Sequence, residues 1–182
     1  GRAAYWDGAS ADTTALIAHL MQRVAPDRYA SVLSAAAEFL LSSQREDGLF
    51  DARWFPSQVS TASYAVRFLA RRPDPEGRYR SAIERATKAM VDLQREDGSV
   101  AGSITETAFT AMTLAVTQNH PDALASARAF LEGVLERGVP AGEGYLFYWF
   151  EMQDGTRAFF DCRDRGRLAE ALARAALREP PP

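Results

Sequence analysis

The chain is short of the residues on which several chemistries depend. It has one cysteine, Cys162, and two histidines in 182 residues. A lone thiol closes no internal disulfide and offers no zinc-finger spacing. No stretch approaches the roughly 20 apolar residues of a membrane span, and no basic-then-apolar export signal stands at the N-terminus. A cytoplasmic location is therefore expected. An excess of positive charge is also missing. Lys and Arg number 21 against 24 Asp and Glu, a net charge of -3, so no basic field attracts nucleic acid or an anionic membrane. What is present is the composition of a folded domain. Apolar residues are 47% and charged residues 25%, which excludes a disordered chain and suits one domain with a real core.

The apolar pattern is helical, and strands are nearly absent from it. Residues 28–45 carry Tyr29, Val32, Leu33, Ala36, Leu40 and Leu41 at the spacing of an amphipathic helix. Residues 79–95, 122–136 and 166–178 repeat the stripe. Between them lie shorter, more uniformly apolar segments near 12–24, 59–72 and 105–118. Rich in Ala and Thr, these read as helices buried on most sides. The chain thus alternates greasy with amphipathic helices, and the expected fold class is all-α.

The alternation is an internal repeat. Gln44-Arg45-Glu46-Asp47-Gly48 recurs fifty residues later as Gln94-Arg95-Glu96-Asp97-Gly98, each time closing an amphipathic helix. Thr14-Ala15, Thr61-Ala62 and Thr107-Ala108 open the greasy helices at intervals of 47 and 46. Helical hairpins of this length stack side by side, greasy helices inside and amphipathic ones outside. The Gln-x-x-Asp-Gly turn has a structural role: Gly supplies the left-handed conformation that ends a helix, and the Asp and Gln side chains bind freed backbone groups.

Such a turn, followed after a gap by Thr-Ala on an inner helix, resembles the repeat of squalene–hopene cyclases and class II diterpene cyclases. Phe50 and Val100 stand where that repeat usually has Trp. The segment Ser10-Ala11-Asp12-Thr13-Thr14-Ala15 resembles the family's Asp-x-Asp-Thr-Thr motif, whose middle Asp protonates an alkene. Asp12 falls on that middle position, and Ser10 stands in place of the first Asp. Trp54-Phe55-Pro56-Ser57 and Tyr148-Trp149-Phe150 resemble, in the family's order, the segment before the next inner helix and the end of the barrel domain.

The resemblance implies an α/α-barrel of hairpin repeats, of which residues 1–178 form about half and 179–182 a tail. A second chain, or another segment of a longer one, would complete the double ring. It implies a substrate, geranylgeranyl diphosphate or a related linear prenyl diphosphate, with magnesium accompanying its diphosphate. Asp12 would be the catalytic acid, with Ser10, Thr13 and Thr14 supporting it, and no protein metal ligands are implied. Trp6, Trp54, Phe55 and Trp149 are the substrate-binding candidates, together with Tyr148, since aromatic faces attract a cation without offering a base. No Asp-rich ionisation motif is present, so the diphosphate is expected to survive.

Plainer readings exist for the same residues. Asp followed by two Thr and an apolar helix is what N-capping preference alone produces. His19 reads as a core or groove histidine, and His120, beside Pro121, as part of an exposed turn. Asp161-Cys162-Arg163-Asp164 resembles part of the zinc site of protein prenyltransferases, but no histidine follows to complete a ligand set. The alternative to an enzyme is a non-catalytic helical-repeat subunit that binds and stabilises a cyclase partner.

Overall fold

A computed structural model describes residues 8–55, 57–74, 76–140, 147–151, 157–161 and 165–178. Among them are seven helices: α1 (Ala11–Val24), α2 (Ala30–Ser43), α3 (Gln58–Leu69), α4 (Arg78–Asp92), α5 (Ile104–Thr117), α6 (Pro121–Arg137) and α7 (Arg165–Arg178). Each end lies within three residues of the range read from periodicity. Local chemistry sets several boundaries. The Ser57 and Ser103 hydroxyls cap α3 and α5 by accepting from the Ser60 and Glu106 N–H groups. Pro121, at the start of α6, needs no N–H partner there, and His120 is the capping residue before it.

The odd-numbered helices form an inner row. α1 packs on α3, α3 on α5 and α5 on α7, while α2, α4 and α6 lie behind them. The burial patterns explain the order. Every residue of α5 from Ile104 to Ala115 is buried, and α3 is buried from Val59 to Leu69 except at Tyr64. Such helices can only sit between neighbours. The outer helices bury single stripes: Leu33, Ala37 and Leu40 on α2; Ala82, Ala86 and Met90 on α4; Ala127, Leu131 and Val134 on α6. Small inner residues permit close approach, and several of their hydroxyls bond within or between the inner helices, although Thr105 and Thr110 on α5 find no partner among the described residues. Thr113 Oγ1 donates to the Phe109 carbonyl at 2.8 Å and lies 2.8 Å from Ser63 Oγ on the adjacent helix.

The repeated turn is built twice in the same way. Gln44 Nε2 donates to Gly48 O and to Ala82 O on α4, both at 2.8 Å. Gln94 Nε2 repeats this with Gly98 O and Ala123 O on α6, both at 3.0 Å. Each Gln therefore stitches its turn to the next outer helix. Asp47 Oδ1 accepts from the Leu49 N–H at 3.0 Å, and Asp97 Oδ1 from the Ser99 N–H at 2.9 Å. Gly48 and Gly98 sit at φ of 87° and 85°, where a Cβ would run into the backbone carbonyls of Arg85 and Ser126. Phe50 and Val100, in the position usually held by Trp, are both buried.

Two local features depart from the periodicity. Phe147–Glu151 and Arg157–Asp161 form an antiparallel hairpin, β1 and β2, with Trp149 opposite Phe159 and Tyr148 opposite Phe160. Aromatic runs favour extended backbone, and here that preference places a hairpin in an otherwise helical chain. Amphipathic α7 keeps the alternation of inner and outer helices despite its pattern: it packs beside α5, as the fourth member of the inner row, and against α6. Its buried residues are Ala169, Ala173 and Ala176. No helix among the described residues is long and apolar enough to cross a membrane. The 179–182 tail lies outside the described residues.

Candidate active site

The start of α1 presents Asp12 to the chain segment that precedes α3. Ser10 is the extended residue before the helix, and its side chain makes no capping bond to the helix backbone. The capping role anticipated for Asp12 is thus not what the structure gives, because Asp12 lies inside the first turn. Its side chain is fully buried and reaches forty residues along the chain. Asp12 Oδ2 accepts from the N–H groups of Arg53 at 2.7 Å and Phe55 at 3.0 Å, and from that of Trp54. Oδ1 accepts from its own neighbour, the Thr13 N–H, at 2.8 Å.

A length difference between the two repeats creates this cradle. Six residues, 51–56, separate Phe50 from the capping Ser57, but only Ala101 and Gly102 separate Val100 from the capping Ser103. The additional residues let consecutive N–H groups converge on one carboxylate oxygen. The second repeat has no chain to spare for such a turn. The position equivalent to Asp12 on α3 is the apolar Val59, counted from the shared Thr-Ala pair.

The electrostatics follow from this geometry. Burial pushes the Asp12 carboxyl up, but the Ser10 hydroxyl and the N–H groups of Trp54, Phe55 and Thr13 favour its anion and leave its pKa below the ordinary value. The conjugate base is stabilised, so the protonated form is a stronger acid than an ordinary carboxyl. The supporting residues take distinct places. Ser10 Oγ lies 2.6 Å from Thr13 Oγ1, and the Thr14 N–H donates to the Ser10 carbonyl at 3.0 Å.

Of the aromatic candidates, Trp54 and Phe55 join the site through their backbone. The Phe55 ring leads further, into a row that sequence reading passed over. Tyr64 is its hub, 5.8 Å from Phe55, 5.6 Å edge-on from Phe109 and 5.9 Å from the His19 ring. A large ring among the small residues of α3 was the signal available for Tyr64. Trp149 and Tyr148 lie on β1, where the backbone register alone is described. Trp6, and the Cys162-Arg163-Asp164 stretch, lie outside the described residues. A second buried carboxylate was also missed. Glu106, 6% exposed, accepts from Ser57 Oγ at 2.8 Å, and burial raises its pKa more than that bond lowers it.

In sequence and in fold this helical chain is similar to class II terpene cyclases. No family model matches it. Over 107 residues, 58% of the chain, it is 31% identical to the drimenyl diphosphate synthase of Streptomyces showdoensis, of which it covers 19%. Its structure matches the ent-copalyl diphosphate synthase from Streptomyces platensis with a TM-score of 0.65 and 25% identity, over 92% of this chain and 33% of that one. A protein from Actinoplanes has the same fold, with a TM-score of 0.65 and 24% identity over 96% of this chain and 56% of its own. The chain therefore spans a minor part of the length of both synthases it resembles.

Proposed function

We propose that the chain is the acid-bearing part of a class II terpene cyclase, and that Asp12 protonates the terminal alkene of a linear prenyl diphosphate. The observation that carries this reading is a buried carboxylate whose one oxygen accepts three backbone N–H groups. Oδ2 is saturated by those donors, so the transferable proton belongs on Oδ1. The alkene π electrons take that proton, a C–H bond forms, and a tertiary carbocation is left on the chain. The charge remaining on the carboxylate is received by dipoles already in place, which costs no reorganisation during the reaction. Ring closure follows along the folded substrate, and loss of a carbon-bound proton ends it with the diphosphate intact.

The linked rings of Phe55, Tyr64 and Phe109 would offer aromatic faces that stabilise the cation without trapping it. Substrate of the geranylgeranyl diphosphate type and a second chain or segment completing the barrel belong to the same proposal. Ile17, Leu20 and Val24, spaced along one side of α1, are 52%, 50% and 82% exposed, which supports a further helical segment lying against them. Magnesium would accompany the substrate's diphosphate. No group of three metal-binding side chains is found among the described residues.

A second reading has one observation in its favour. Asp12 is fully buried and tightly bonded, as a purely structural clasp between α1 and the 53–55 turn would be. A non-catalytic subunit of a cyclase complex would need no more. Incubation of the protein with geranylgeranyl diphosphate, alone and with the chain that completes it, decides between them by mass spectrometry. A cyclised diphosphate that disappears with Asp12→Asn supports the acid. Undiminished product from that variant supports the clasp.

A further inference from the structure

Three inner helices begin alike, and one of them breaks the pattern. Counted back from the Thr-Ala pairs, Ser10, Ser57 and Ser103 stand at the same place before α1, α3 and α5, and three residues further on come Thr13, Ser60 and Glu106. The first two are hydroxyls that turn back on their own helix. Thr13 Oγ1 donates to the Ser10 carbonyl at 3.4 Å, and Ser60 Oγ to the Ser57 carbonyl at 2.8 Å. Ser103-Ile104-Thr105-Glu106 is the sequence of a capping box, in which the Glu side chain would accept from the Ser103 N–H. Half of that box is made, since Ser103 Oγ accepts from the Glu106 N–H at 3.3 Å. The other half is not. The Ser103 N–H donates to the Val100 carbonyl at 3.0 Å, and the Glu106 carboxylate crosses to α3, where it accepts from the Ser57 hydroxyl at 2.8 Å.

This departure is costly. Glu106 is buried, and a single hydroxyl offsets only part of what a carboxylate loses on leaving water. The repeat does not require it, because hydroxyls serve at the two equivalent positions. What the carboxylate reaches is informative. Ser57 lies two residues beyond Phe55, at the end of the segment whose amides converge on Asp12 Oδ2, and α3 lies between α1 and α5. That segment is thus fastened from both sides by a carboxyl in the first turn of an inner helix. Asp12 of α1 takes its N–H groups, and Glu106 of α5 takes the hydroxyl at its end.

We propose that Glu106 is a positioning residue for the acid: by holding Ser57 it fixes the 53–55 amides against Asp12 Oδ2, and so sets how well the carboxylate left by proton transfer is received. It acts through Ser57 and the amides rather than on the substrate. Its part in turnover rests on the cyclase reading above, whereas the mechanical link from α5 to the amides does not.

Glu106→Leu removes the acceptor and keeps an apolar side chain of similar size in its place. Hydrogen exchange of the complete protein, read by mass spectrometry, should accelerate at 53–55, while the urea midpoint at pH 7 does not fall because a buried carboxylate leaves with the bond. Glu106→Gln, whose amide oxygen still accepts from Ser57, should restore protection there. Ser57→Gly removes the hydroxyl but leaves a residue tolerated before a helix. It should loosen the same amides, and adding Glu106→Leu to it should loosen them no further. In turnover of the prenyl diphosphate, kcat should fall roughly tenfold or more in Glu106→Leu with KM little changed, and Glu106→Gln should recover most of that loss. Wild-type protection at 53–55 in Glu106→Leu or in Ser57→Gly would overturn the link. If Glu106→Leu does not fold, Ser57→Gly decides by the same exchange and the same kcat. Loosened amides with unchanged kcat, or a rise in KM alone, would overturn the positioning role. The two proposals fail separately. Loosened amides in a protein that makes no cyclised product refute the cyclase, whereas product formed at the wild-type rate by Glu106→Leu refutes the role of Glu106.

Discussion

Removal of the Asp12 carboxylate should release the segment that precedes α3. In Asp12→Ala the N–H groups of Arg53, Trp54 and Phe55 lose their common acceptor, and the Thr13 N–H loses its partner. Each orphaned donor costs about 1–3 kcal/mol when water does not replace the lost acceptor. Water can enter the space left by the side chain and recover part of this, so the total should fall at roughly 2–5 kcal/mol. That is a large fraction of the stability of an ordinary domain. Asp12→Asn keeps one carbonyl oxygen for the three converging donors but turns an amide N–H₂ towards the Thr13 N–H, and should cost about 1–2 kcal/mol. Urea denaturation measures the totals, and hydrogen exchange locates them: protection should be lost at the 53–55 amides in the Ala variant and largely kept in the Asn variant. The sign with pH is also fixed. A carboxyl whose native pKa is depressed contributes stability above its ordinary value of 3.8 and loses it as pH falls through the native pKa. The Ala variant should therefore show a flatter acid limb than the wild type. Equal stability, or unchanged exchange at 53–55, would refute the clasp on which the acid's strength depends.

Three further outcomes follow from the same structure. His19 is neutral and buried in the folded chain but titrates near 6.5 once unfolded, so its contribution is complete above pH 6.5 and is lost towards pH 4. At about 1.4 kcal/mol per pH unit the loss amounts to roughly 3 kcal/mol, and His19→Phe should remove it from thermal melts taken across that range. Glu106 has the opposite sign: its raised native pKa favours the folded state below 4.5 and penalises it as pH rises. Glu106→Gln should accordingly stabilise the protein at pH 7 and converge with wild type in acid, as read by urea midpoints. Gly98→Ala should cost more than Gly77→Ala. Both glycines are left-handed, but a Cβ at 98 meets the Ser126 carbonyl while one at 77 meets nothing within 4 Å. Denaturation should give about 1–2 kcal/mol for Gly77 and clearly more for Gly98.

The helices were legible because each inner or outer position leaves a mark on composition. A helix buried on every side, such as α5, must be apolar or hydroxylic throughout, whereas α4 needs only the stripe of Ala82, Ala86 and Met90. The Gln-x-x-Asp-Gly turn was legible because its glycine is forced by a close carbonyl and its Gln by a reach to the next outer helix. The 147–161 hairpin was not, since short aromatic runs suit a buried helix and a strand alike. Nor was the place of α7, whose amphipathic pattern suggested an outer helix although the alternation puts it in the inner row. Asp12 itself was visible, but its partners were not. Backbone N–H groups carry no residue signature, so the 53–55 cradle could be inferred only from four extra residues in the first of two repeats. Tyr64, Phe109, Glu106 and Arg67 were hidden for a different reason. Each is one polar or aromatic residue in a helix dense with small ones, and its partner lies on another element: Tyr64 meets Phe109, Glu106 meets Ser57 and Arg67 reaches Met112.

Isotope incorporation tests the proton donor most directly. Turnover of the prenyl diphosphate by the complete protein in D₂O should deliver one solvent-derived deuteron to the carbon that was the terminal alkene, read by mass spectrometry of the cyclised diphosphate. The product should vanish with Asp12→Asn while the 53–55 amides of that variant stay largely protected. A cyclised product without deuterium at that carbon, or undiminished deuterated product from Asp12→Asn, would contradict a role for Asp12 as the acid.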